Sequence, residues 1–131
     1  MTLMLRSLLI VGVGSFFGGA MRYLVSTLMK NVGTSGFPWG TLTVNLLGCL
    51  VFGVVFALFN RSGAAHGSWC LLLTTGLCGG FTTFSTFSHE GFRMLHDGNM
   101  GGFVAYVLAS LVLGVLLVAL GYWIVKAVDL S

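Results

Sequence analysis

A chain of 131 residues has the length of one domain, which excludes a multidomain enzyme. Its residues are 56% hydrophobic and only 7% charged, with a mean hydropathy of +1.01, whereas soluble domains carry roughly 25% charged residues. The net charge of +3 is scattered without any basic run, which excludes a nucleic-acid surface and points to the bilayer.

Four apolar runs follow one another, at 7–29, 40–60, 67–95 and 101–126. The first holds one charge, Arg22; the second holds none. The third is uncharged as far as Ser88, and the fourth as far as Val125. About 20 residues are needed to cross a hydrocarbon core of ~30 Å, and only a helix spans at that length. The expected fold is therefore a single all-α transmembrane domain over 1–131. Arg6 ahead of an apolar run also suits a signal peptide, but this run is too long for one and three spans follow it, so a retained anchor is expected. The connections at 30–39, 61–66 and 96–100 are short. The first carries Gly33, Gly36 and Pro38 and reads as a turn-rich loop.

Four spans put both termini and the middle loop on one side, with Arg6, Arg61 and Lys126. The other side has Lys30 and Arg93, and Arg22 if it reaches out. Orientation is set by an imbalance of Lys and Arg, and here there is almost none. One reading is insertion in both directions and pairing as an antiparallel, dual-topology homodimer. The other is one fixed orientation set by a single extra charge.

Polar groups at membrane depth mark candidate sites. Gly14, Gly18 and Arg22 share one helix face, and Gly14-x-x-x-Gly18 permits close helix approach. Arg22 either snorkels to the interface or sits as a fixed charge at a pore mouth. Asn45 needs partners, across a helix interface or as a donor to an anion, and Thr41 lies on its face. The third span is the most informative. Residues 74–88 hold seven hydroxyl side chains and three glycines, which suggests a helix broken near 79–83, close to the bilayer centre, with carbonyls exposed. Freed carbonyls at that depth suit a small cation. Phe84 and Phe87 follow among Thr and Ser positions; ring edges favour an anion, ring faces a cation. Glu90 stands beside His89 and Arg93 as an interfacial or vestibule carboxylate. In the last span Tyr106 and Ser110 are four apart and offer hydroxyls on one face.

Cys49, Cys70 and Cys78 show neither CxxC spacing nor a Cys/His ligand pattern, so they read as small hydrophobes. There is no HExxH, nucleophile elbow or pair of deep carboxylates, and no enzyme is expected. Two rivals to a channel remain. A small proton-coupled multidrug exporter needs an embedded carboxylate, yet Glu90, Asp97 and Asp129 lie at span ends. A non-transporting assembly subunit would use its polar residues only to hold helices together.

Gly40-Thr41-Leu42 with Asn45, the stretch Thr74-Thr75-Gly76-Leu77-Cys78-Gly79-Gly80-Phe81-Thr82-Thr83-Phe84-Ser85-Thr86-Phe87-Ser88, and Arg22 together resemble the CrcB/Fluc family of fluoride channels. The resemblance covers all four spans. It implies passive fluoride export in a bacterial inner membrane, through two antiparallel pores of a dual-topology homodimer with a central structural sodium ion. It also implies that the carbonyls of Gly79 and Thr82 hold the sodium and that the edges of Phe84 and Phe87 contact fluoride. Asn45, Tyr106 and Ser110 match pore residues, and Arg22 and Glu90 match vestibule positions. The chain departs from the pattern in having no hydroxyl over 111–120 and in carrying His89 before the glutamate.

Overall fold

The computed structural model describes residues 2–33 and 36–130, without the side chains of Asp129 and Leu130. Its regular structure over the described residues is helical. Four stretches are long and apolar enough to cross a membrane: Thr2–Leu28, Trp39–Arg61, Ser68–His96 and Met100–Val128. The first two are the unbroken helices α1 (Thr2–Leu28) and α2 (Trp39–Arg61). α2 begins directly after Pro38, where a missing N–H costs nothing, and ends as Gly63 adopts a φ of +77° that turns the chain away.

The third stretch is irregular. α3 (Ser68–Leu71) runs into a π-helical segment, Leu72–Cys78, and then α4 (Gly79–Phe81). Thr82 is extended, at φ −83° and ψ 161°, and helix resumes in α5 (Ser85–His96). Gly79 itself is helical, at φ −63° and ψ −38°. The neighbouring Gly80 serves packing: a Cβ there would lie 2.7 Å from the Ser15 carbonyl oxygen. Gly98, at φ +78°, turns the chain into α6 (Met100–Leu108), whose first turn is capped by Asn99 Oδ1 accepting the Gly102 N–H at 2.9 Å. A second π-helical segment, Ala109–Leu113, joins α6 to α7 (Gly114–Leu130). π-helical turns are uncommon and gather at functional sites.

Two helix pairs organise the packing. α1 lies along Leu72–Cys78 and α4, and α2 lies along α7. The first pair uses the Gly14-x-x-x-Gly18 face. A Cβ on Gly14 would stand 2.5 Å from the Leu72 carbonyl oxygen, and one on Gly18 would strike the carbonyl of Leu77. The second pair is as close, with Gly53 against the Val118 carbonyl and Gly121 against that of Leu50. Between the pairs, Leu42, Met94 and Tyr106 form a small buried core with Phe37, Leu46, Phe87 and Phe103 around it. Cys70 and Cys78 are buried, Cys49 is half-buried, and none is disulfide-bonded. The outward faces carry Leu8, Leu9, Phe16, Leu111 and Val115, an arrangement suited to lipid or a partner and not to water.

Candidate functional site

The site is built around the interruption at Thr82–Phe84. The last regular helical bond there runs from the Thr82 N–H to the Cys78 carbonyl, at 3.0 Å. In a continuous helix the Thr83 N–H would donate to Gly79 and the Phe84 N–H to Gly80. Instead the Thr83 N–H donates to Asn45 Oδ1 at 2.7 Å, while Asn45 Nδ2 donates to the Thr83 carbonyl at 3.0 Å. One amide side chain of α2 thus holds both backbone polar groups of Thr83. The Gly80 carbonyl accepts from Arg22 Nε at 3.1 Å. The Thr86 N–H, which would have closed on Thr82, donates to Thr83 Oγ1 at 3.3 Å and starts α5. Ser15 adds a donor from α1, its hydroxyl reaching the Gly76 carbonyl at 3.3 Å in the π-helical segment.

Below the interruption lies an open groove of about 260 Å³ lined by Asn45, Thr82, Thr83, Phe84, Phe87 and Ser110, among others. Phe84 is 78% exposed, and its ring centre lies 5.8 Å from that of Phe87 at a tilt of 43°. Among the described residues, Ser110 Oγ is the one buried side-chain polar atom without a hydrogen-bond partner. Such a group is costly unless something else meets it.

A larger cavity of about 620 Å³ lies beside the 30–39 loop, and Arg22, Lys30, Thr41, Glu90, Arg93 and Asp97 are among its lining residues. Arg22 therefore touches both the cavity and the interruption. Glu90 accepts from the Tyr106 hydroxyl at 3.2 Å, and Thr41 is hydrogen-bonded to the same hydroxyl. Tyr106 is fully buried, with its ring 5.0 Å from Phe87 and 5.5 Å from Phe37, centre to centre.

The structure thus brings together Asn45, Thr82, Phe84, Phe87 and Ser110, and sets Arg22 and Glu90 in the adjoining cavity. Tyr106 lies in the buried core and Ser110 lines the groove, and Phe87 adjoins both. His89 is exposed. Two partnerships have no signal in the sequence: Ser15 as a donor to Gly76, and Asn45 as the holder of the Thr83 backbone. No cluster of three His, Cys, Asp or Glu suited to a metal occurs among the described residues.

Comparison with known proteins matches residues 9–122 to the family described as CrcB-like protein, Camphor Resistance (CrcB). Similar curated proteins include the fluoride-specific ion channel FluC of Phocaeicola vulgatus, 45% identical over 91% of this chain and 98% of that protein. The protein of the same name from Leptospira interrogans is 44% identical over 92% of this chain and 95% of its own length. That of Salmonella arizonae is 41% identical over 95% and 97% respectively.

Proposed function

Because this chain belongs to the CrcB family, we propose that it is a fluoride-selective channel giving passive fluoride export across the bacterial inner membrane. Its role is to lower cytoplasmic fluoride and so prevent toxicity. The observation that carries this reading is the partnerless Ser110 hydroxyl on a groove shared with Asn45, Phe84 and Phe87. A small, strongly hydrated anion enters such a groove only if several donors replace its water together. Ser110 supplies an O–H, Asn45 has a second Nδ2–H beyond the one on Thr83, and the phenylalanines have electropositive edges. None of these carries a full positive charge, so the ion binds well enough to enter and weakly enough to leave. Arg22, Lys30 and Arg93 around the outer cavity raise the local anion concentration, with Glu90 and Asp97 tempering the field.

The assembly is an antiparallel, dual-topology homodimer with two oppositely directed pores. The near-equal Lys and Arg on the two sides of the membrane supports it. So does the groove, which is open on one side with Phe84 standing out of it and which a second copy would close. The interruption then lies near the bilayer centre, where irregular backbone is tolerated because protein surrounds it.

A central sodium ion fits the residues present. The amides that would have bonded the carbonyls of Gly79 and Thr82 are engaged by Asn45 and by Thr83 Oγ1, which leaves those two oxygens for a cation. Two from each copy would hold it, and its charge would pin the two interruptions together.

The test is efflux from liposomes loaded with fluoride or with chloride. Fluoride efflux without chloride efflux, slowed roughly tenfold or more by Phe84→Ile through loss of a ring contact of about 1.4 kcal/mol, is the expected result. No flux of either ion, from folded and dimeric protein in sodium, would overturn the channel in favour of an assembly subunit.

A further inference from the structure

The Gly79 carbonyl is open to a cation only while no amide bonds it. A backbone amide one turn further along is the natural donor to it, and Thr83 supplies one. We propose that Asn45 is the positioning residue of the cation site: by capturing the Thr83 N–H it keeps the Gly79 carbonyl open for sodium. The inference rests on the proposed sodium site and adds a role for Asn45 beyond lining the groove.

The geometry makes this more than helix glue. Asn45 and Arg22 both bond the interruption, but in opposite senses. Arg22 fills an acceptor, the Gly80 carbonyl, and so leaves Gly79 unaffected. Asn45 removes a donor, and that donor is the one whose helical partner is Gly79. The bond from the Thr83 N–H fixes the peptide between Thr82 and Thr83 and so holds Thr82 at its extended ψ of 161°, while Nδ2 steadies the next peptide through the Thr83 carbonyl. Gly48, one turn further along α2, keeps the same region in place: a Cβ there would strike Thr82 Cγ2. Were Asn45 replaced by an apolar residue, the Thr83 N–H would lose its acceptor. Its acceptor in regular helix is the Gly79 carbonyl, and reaching it requires Thr82 to rotate into helix. One bond would then close the interruption and consume a sodium ligand. Asn45 also lines the groove, so the anion path and the cation site share one amide.

The test is thermal unfolding of the full chain in detergent, purified without sodium and titrated with sodium chloride against N-methylglucamine chloride at constant ionic strength. The parent is expected to melt at higher temperature as sodium rises. Asn45→Leu is expected to need at least tenfold more sodium for half of that rise, or to lose it, whereas mere loss of glue would lower the melting temperature equally at every concentration. Asn45→Asp keeps an acceptor for the Thr83 N–H and is expected to hold the parent midpoint within about threefold. A leucine variant with the parent midpoint overturns the proposal, and so does an aspartate variant shifted tenfold upward. The aspartate variant decides the matter if the leucine variant does not fold. A parent without any sodium response overturns this inference and the sodium site together. Fluoride efflux, measured separately, then shows whether the channel reading stands without them.

Discussion

The two helix pairs achieve similar closeness by different means. α2 and α7 approach through Gly53 and Gly121, whose missing side chains let each backbone rest against the other. α1 and the third span also meet through glycines, Gly14, Gly18 and Gly80, but there Ser15 and Arg22 reach across to bond carbonyls at Gly76 and Gly80. In lipid no hydrophobic force draws apolar helices together, so α2 and α7 gain from the close backbone packing that these glycines allow. The α1 pair instead supplies hydrogen bonds to a backbone that has departed from regular helix. One pair is scaffold, and the other maintains an irregularity that the site requires.

That contrast can be broken on the scaffold side with the largest effect. Gly121→Val places a Cβ 2.5 Å from the Leu50 carbonyl oxygen and 2.8 Å from the Val54 nitrogen, contacts that only backbone movement relieves. A loss of about 3 kcal/mol is expected, read as disappearance of the monodisperse peak in size-exclusion chromatography. Ser110→Ala should act on function and leave the fold alone. It removes a hydroxyl without a protein partner, so the melting temperature should hold or rise slightly, while fluoride efflux falls about fivefold for a donor contributing about 1 kcal/mol. If the melting temperature falls and flux does not, Ser110 is structural. The smallest effect belongs to Ser15→Ala, which deletes one long bond of 3.3 Å beside the π-helical segment. About 0.5 kcal/mol of stability should go, measured by denaturation, with selectivity over chloride unchanged.

The four spans were legible because lipid demands uncharged runs of a fixed length, and those runs correspond to the helices observed. The Gly14-x-x-x-Gly18 contact was legible for a related reason, since close approach needs residues without side chains. The hydrogen-bonding register was not. Nothing in Leu72–Cys78 or Ala109–Leu113 marks a π turn, because the choice of acceptor four or five residues back depends on what packs alongside. The resemblance of the 74–88 stretch identified the family, and Asn45 stood out as an amide in hydrocarbon. Its actual partner, the backbone of Thr83, lies 38 residues away and is fixed only by tertiary packing.

The two π-helical segments bear on how this chain tolerates change in length. A π turn holds one residue more than an α turn, so each segment contains, in effect, a residue that regular helix would not need. Removing one residue from Ala109–Leu113 would let that stretch become ordinary helix while the residues on either side kept their faces. Gly114 and Gly121 would then still meet α2. The extra residue is absorbed locally, so Tyr106 on one side and Gly121 on the other keep their neighbours. A loss of one residue is thus tolerated at Ala109–Leu113, whereas a deletion within the unbroken α2 would rotate everything beyond it by about 100°.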